Sequence, residues 1–193
     1  MQNKKLFRFR YDKAYKWLFT YFLEDAIEFL HPNLYALIDW DKEFTFQEQE
    51  LAKLSNNNKL YIKVDKLIEF TLLNKKRVFI LLHIEIQQSN PTEIAKRMFN
   101  YYTHLILKYP NKELHSLLVY IGKEQHNNMH IFSVQNESIS VEFKFTYFNL
   151  AEQSKEFLLS KNNLLGICLF FTKMIQEKKN KENSNYTIIS EII

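Results

Sequence analysis

Glycine, proline and cysteine are nearly absent from this chain of 193 residues, with 2, 3 and 1 copies. Two glycines cannot build a Walker A loop or a GxGxxG fingerprint, and neither is present, so P-loop NTPases and ordinary dinucleotide-binding enzymes are excluded. Collagen-like and proline-rich architectures are excluded on the same count. The single Cys168 cannot form a disulfide within the chain or a cysteine-based zinc site. It sits in the apolar run 164–171 and is expected to be a small buried hydrophobe. No apolar stretch approaches the roughly 18 residues a membrane span needs. No apolar core follows the charged start MQNKKLFRFRYDK, so no signal peptide is expected and a cytoplasmic location is the default. The net charge of +4 permits a polyanionic partner without demanding one.

What is present is a composition for a core. Apolar residues make up 46% and aromatics 16%, with 17 Phe and 11 Tyr. The length suits one domain, expected over residues 1–175, with 176–193 as a polar, mobile tail. Residues 11–30 recur near a 3.6 period and predict a helix that ends at His31-Pro32. Gln47 to Leu54 predicts a short helix. Leu60 to Leu73 and Arg77 to Gln88 predict two strands joined by the turn Asn74-Lys75-Lys76. Pro91 and Glu93 open a helix that runs to about Tyr109. His115 to Ile121, Met129 to Val134 and Ser138 to Phe148 predict further strands, and Leu158 to Ile175 a final helix.

The predicted hairpin carries the chemistry. With Lys75 at its centre, paired residue numbers sum to 150, which sets Asp65 opposite Glu85. Even positions (Ile68, Phe70, Leu72, Val78, Ile80 among them) form an apolar face. Odd positions turn polar at the far end, at Lys63, Asp65, His83, Glu85 and Gln87. Carboxylates opposed on one face of a ladder repel, and a cation between them relieves the cost. Mg2+, or Mn2+ in its place, takes oxygen ligands and activates water for attack on a phosphoryl group. Gln87 shares the face of Glu85 and is in reach of that water or a phosphate oxygen. The competing reading is a solvated strand end, with His83 a structural residue. On the next helix Ile94, Met98, Leu105 and Tyr109 predict an apolar stripe. Arg97, Tyr101, His104 and Lys108 predict a second, from which the Arg97 fork reaches phosphate. Pairing of Arg97 with Glu93 is the bland alternative.

The segments VDKLIEF, FILLHIEIQQSN and AKRMFNYY together resemble the Rpn-type recombination-promoting nucleases and putative transposases of the PD-(D/E)XK superfamily. Asp65 matches the strand aspartate, Glu85 and Gln87 the E-x-K/Q element, and Arg97-Met98 with Tyr101 the R-M-x-x-Y helix, with Arg97 and Tyr101 the expected DNA or phosphate contacts. YDKAYKWLF, LIDWDKEFTF, FKFTYFNL and LLSKNNLLG agree as well, so the resemblance spans roughly residues 11–175. It implies an α/β, restriction-endonuclease-like core, with a mixed central sheet flanked by helices. It also implies Mg2+-dependent hydrolysis of DNA phosphodiesters in recombination or transposition. The superfamily's usual lysine is Gln87 here, which offers hydrogen bonds without a positive charge. An acid on the first core helix is also implied. Glu50 is the candidate, with Glu48 and Glu28 as alternatives. Lys4, Lys5, Arg8, Arg10, Lys13 and Lys16 are candidate DNA contacts. The alternative is a nuclease fold without chemistry that serves as a DNA-binding or protein-interaction module. Whether the chain forms a homodimer stays open.

Overall fold

A computed structural model describes residues 14–47, 66–85, 91–122 and 130–192, with side chains described for all of these except 81–85, 91–92 and 179–192. Helix α1 (residues 14–21) and α2 (Leu23–Leu30) meet at a bend on Phe22, and α3 (Pro32–Tyr35) follows at once. Pro32 at the start of α3 explains the break at His31, because proline donates no backbone bond and fixes its own φ. Strands β1 (Thr45–Phe46), β2 (Lys66–Thr71) and β3 (Arg77–Glu85) come next. Then follow α4 (Pro91–Lys108), β4 (Glu113–Tyr120), β5 (Ile131–Gln135), β6 (Ser140–Lys144) and β7 (Thr146–Asn149). A single 3-10 turn (Leu150–Glu152), α5 (Lys155–Ser160) and α6 (Leu164–Ile192) complete the described chain. Among the described residues no helix is long and apolar enough to cross a membrane.

The fold is α/β, as expected, with a mixed sheet in the order β1-β2-β3-β4-β7 flanked by helices. Pairs β1–β2 and β2–β3 are antiparallel, whereas β3–β4 and β4–β7 are parallel. The even positions Ile68, Phe70, Leu72, Val78 and Ile80, each 5% exposed or less, form the apolar face the sequence pattern predicts. They share one core cluster with residues of α1, α2, α5 and α6. On the other side Leu67, Phe79, Leu118 and Tyr120 pack with Ile94, Met98, Tyr101 and Leu105 of α4. Each fully buried side chain of this size contributes roughly 1.5–3 kcal/mol of transfer free energy, so the apolar stripe of α4 is what fastens it. Glu93 in its first turn and Lys108 in its last complement the helix dipole.

Two expectations are corrected. The predicted strand Ser138 to Phe148 is two strands. β6 pairs with β5 in a separate two-stranded sheet and β7 joins the main sheet. The switch comes at Phe145, which is 8% exposed in the second core and donates its N–H to the His130 carbonyl at 3.2 Å. The predicted helix Leu158 to Ile175 is broken after Ser160. Asn162 takes a φ of +46°, and Asn163 Oδ1 caps α6 by accepting from the Leu165 and Gly166 N–H groups at 2.9 and 3.4 Å. Helix α6 runs on through residues 176–192. Gln, Glu and Lys are good helix formers, and Glu177 is held by Lys155 at 2.6 Å. The predicted helix from Gln47 to Leu54 lies outside the described residues beyond Gln47.

Candidate active site

The β2–β3 register differs from the predicted one. Lys66 pairs with Leu82 and Thr71 with Arg77, so paired numbers sum to 148, with Asn74 at the centre. The cause is the turn. Leu72 donates to the Lys76 carbonyl at 2.7 Å, and Lys75 adopts a φ of +66° as the last loop residue, as three-residue hairpin loops require. A shift of two leaves every residue on its expected face, because the side-chain period is two. It does remove the basis for setting Asp65 directly opposite Glu85.

Glu85 ends β3, in register with Tyr120 at the end of β4, which is in turn in register with Asn149 at the end of β7. These three positions form a row across the carboxyl ends of three mutually parallel strands, where open α/β sheets bind ligands. Asp65, Gln87 and Glu50 lie outside the described residues, as do Glu48 and the side chains of His83 and Glu85. Arg97, in the second turn of α4, is half-buried. Tyr101 is 1% exposed and belongs to the second core. The buried stripe of α4 is therefore Ile94, Met98, Tyr101 and Leu105, while His104 and Lys108 face solvent. Glu28 accepts from Asn163 Nδ2 at 3.2 Å, at the start of α6. Gln176 of the same helix donates to the Ile121 carbonyl beyond β4 at 3.0 Å. The helical rise puts about 20 Å between these two ends, so Glu28 is not brought to the row. Among the described residues no three His, Cys, Asp or Glu side chains stand together as a metal site.

The rim holds polar groups that sequence reasoning missed. Asn149, 1% exposed, donates to Glu152 Oε1 at 2.8 Å and accepts from the Ala151 N–H at 3.0 Å. Tyr147 donates to the same Glu152 oxygen at 3.4 Å, and His130 stacks on the Tyr147 ring at 5.6 Å. Burial, then the Glu152 carboxylate, pushes the Tyr147 phenol well above its ordinary range, so it stays a donor. A Cβ at Gly122 would lie 2.2 Å from the Tyr120 ring and hydroxyl, so only glycine lets that ring fold back at the end of β4. An Asn followed three residues later by Glu, right after an apolar strand, is the signal that was available.

A second missed group lies at the opposite end of the sheet. Glu69 is 8% exposed and faces α4. Its carboxylate accepts from Lys112 Nζ at 2.6 Å, Arg77 Nη2 at 3.1 Å and Gln47 Nε2 at 3.3 Å. Lys112 also lies over the Phe79 ring. Glu69→Ala is expected to cost about 2 kcal/mol in urea unfolding, short of a fully buried pair because Arg77 is 54% exposed and rehydrates. Arg77→Ala is expected to cost under about 1 kcal/mol. Equal losses would contradict the assignment of Glu69 as the hub.

His31 and His115 meet edge-on with ring centroids 6.1 Å apart. His31 Nε2 lies 3.2 Å from Thr146 Oγ1, and His115 Nε2 lies 3.0 Å from Glu113 Oε1. Burial, then the nearby His115, pulls His31 below its ordinary value of 6.5. The unfolded chain therefore binds a proton here before the folded one does. The contribution is whole above about pH 6.5 and is lost as pH falls toward the lowered value in the folded protein. The urea midpoint of the wild type is expected to drop more between pH 7.5 and 5.5 than that of His31→Gln. Parallel drops would contradict it.

No family model, curated protein or solved structure matches this chain.

Proposed function

We propose that the chain is a metal-dependent DNA endonuclease with a PD-(D/E)XK-like core, acting in recombination or transposition in the cytoplasm. The observation that carries the reading is the position of Glu85. It ends an inner strand of a mixed sheet, in a row with the carboxyl ends of β4 and β7, and a helix with Arg97 in its second turn follows within a few residues. An antiparallel strand pair, then a helix, then parallel strands is the chain order such a core needs.

Two carboxylates are hard oxygen donors, which suits Mg2+ or Mn2+. Asp65 and Glu85 would hold the ion, which when bound would supply a nucleophilic water and offset charge on the scissile phosphate. Gln87 orients water or a phosphate oxygen through its amide, donating and accepting in turn. Arg97 offers a two-pronged fork to a neighbouring phosphate, and Tyr101, packed beneath the same face of α4, fixes the helix that carries it. Glu50 contributes a further carboxylate from the preceding segment. Water attacks the phosphorus and gives one proton to solvent, and the bond to the 3′ or 5′ oxygen breaks as that oxygen takes a proton from solvent.

The test is nicking of supercoiled plasmid with Mg2+, Mn2+ or EDTA, beside Asp65→Ala and Glu85→Ala. Nicking that needs metal and disappears in both variants is expected. DNA binding without nicking in any metal would contradict the enzyme and favour a nuclease-fold binding module.

A further inference from the structure

We propose that the outer face of α6 is a self-association surface, on which a second copy of this chain lays its own α6 in the antiparallel sense. This goes beyond the nuclease reading and does not depend on it.

Helix α6 is apolar on two sides. Leu165 and Leu169, both 0% exposed, belong to the first core, and Thr172 on the same side shares a 2.7 Å hydrogen bond with Tyr15. Phe171, Met174 and Ile175 are 60%, 40% and 42% exposed, with half-buried Ile167 one turn before them. Spacings of four, three and one keep these four on a single stripe, turned away from the buried side. A helix that is apolar on both sides is ordinarily covered on both. Large apolar side chains gathered on one exposed stripe mark a contact surface.

The helix itself names the cover. Its 29 residues, Leu164–Ile192, span roughly 43 Å. Steps of three and four from Phe171 carry the same line through positions 174, 178, 181, 185, 188 and 192. The residues there are Met174, Lys178, Lys181, Asn185, Ile188 and Ile192. The line is therefore apolar at both ends and polar in the middle, which makes it complementary to itself when reversed.

With position numbers in the two copies summing to 363, Phe171 meets position 192, Met174 meets position 189 and Ile175 meets position 188, each an isoleucine. In the middle Lys178 meets an asparagine at position 185, and Lys181 meets Glu182, twice by symmetry. A parallel pair would set Lys178 against Lys178 and Lys181 against Lys181. Charge thus selects the antiparallel arrangement, and a polar residue such as Asn185 within the seam fixes register at some cost in stability. A membrane surface fits less well. An interfacial helix inserts a continuous apolar face, and this one is interrupted by Lys178, Lys181 and Asn185.

The experiment is sedimentation velocity of the full chain from about 1 to about 100 μM, beside flotation with vesicles of phosphatidylcholine and phosphatidylserine. The wild type is expected to move to twice the monomer mass as concentration rises. Phe171→Glu with Ile175→Glu is expected to raise the dissociation constant by about thirtyfold or more, with an unchanged near-ultraviolet spectrum because both side chains are already open to water. Lys181→Glu alone and Glu182→Lys alone are each expected to weaken the dimer by about fivefold, and the two together to restore it. Within one helix that double exchange sets Glu177 four residues from a second acid and Lys178 four residues from a second base, so recovery comes only from across the interface. If the double glutamate variant does not fold, the charge exchange tests the same seam. A wild type that stays monomeric, a folded double glutamate variant that still pairs, a charge exchange no better than its single changes, or vesicle binding without self-association would each overturn the proposal.

Discussion

Glu85→Gln is expected to lower Mg2+-dependent plasmid nicking by about a thousandfold, or about 4 kcal/mol of barrier. The substitution keeps the size and polarity of the side chain and removes only its charge, which is what a hard divalent ion requires of a ligand. Asp65→Asn is expected to do the same. The double variant is expected to be no worse than either single, because groups that act as one unit lose their effect together. Melting temperature is expected to hold or rise in all three, since an unneutralised acid at a strand end costs the fold stability and serves only the chemistry. A parallel fall in melting temperature and activity would make Glu85 a structural residue.

Gly166→Ala is expected to be the most damaging single-methyl change to the fold. A Cβ at this position would lie 2.3 Å from the Leu158 carbonyl oxygen and 2.8 Å from Phe29 Cε2. Neither neighbour can yield. The carbonyl is backbone of α5 beside a fully buried Leu158, and Phe29, 3% exposed, is wedged between Phe148 and Phe157. The junction of α2, α5 and α6 depends on that close approach, and Asn163 fastens it by donating to the Asp25 carbonyl at 2.9 Å. Overpacking against backbone is expected to cost about 3 kcal/mol. For a chain of this length that is a drop of roughly 6–12 °C in melting temperature, read by calorimetry. A drop below about 2 °C would mean that α6 slides to make room.

The element types were legible wherever burial follows a simple period. Even positions of β2 and β3 alternate into one core, and α4 announces itself with Pro91, Glu93 and an apolar stripe. What was not legible was decided by single residues against the pattern. Lys75 in a left-handed conformation moved the hairpin register by two. Phe145 continues the alternation of its strand in sequence, yet its burial draws the chain from one sheet to another. Asn162 and Asn163 interrupt what reads as one apolar helix. Tyr101, grouped by spacing with Arg97 and His104, is taken into the core because a ring buries more apolar area than a guanidinium or imidazole loses.

The candidate site divides in the same way. Glu85 near the far end of a hairpin strand follows from pattern alone. The neighbours it meets across parallel strands, Tyr120 and Asn149, do not, since that pairing is set by crossovers far apart in sequence. Glu69 was passed over because a lone acid within an apolar strand takes its meaning from partners such as Lys112, 43 residues away.

The most direct measurement is a crystal of the full chain soaked in Mn2+, with the ion located by its anomalous scattering. One peak is expected about 2.0–2.3 Å from carboxylate oxygens of both Asp65 and Glu85. Two acids on opposite faces of the sheet, or a peak that touches neither, would contradict it.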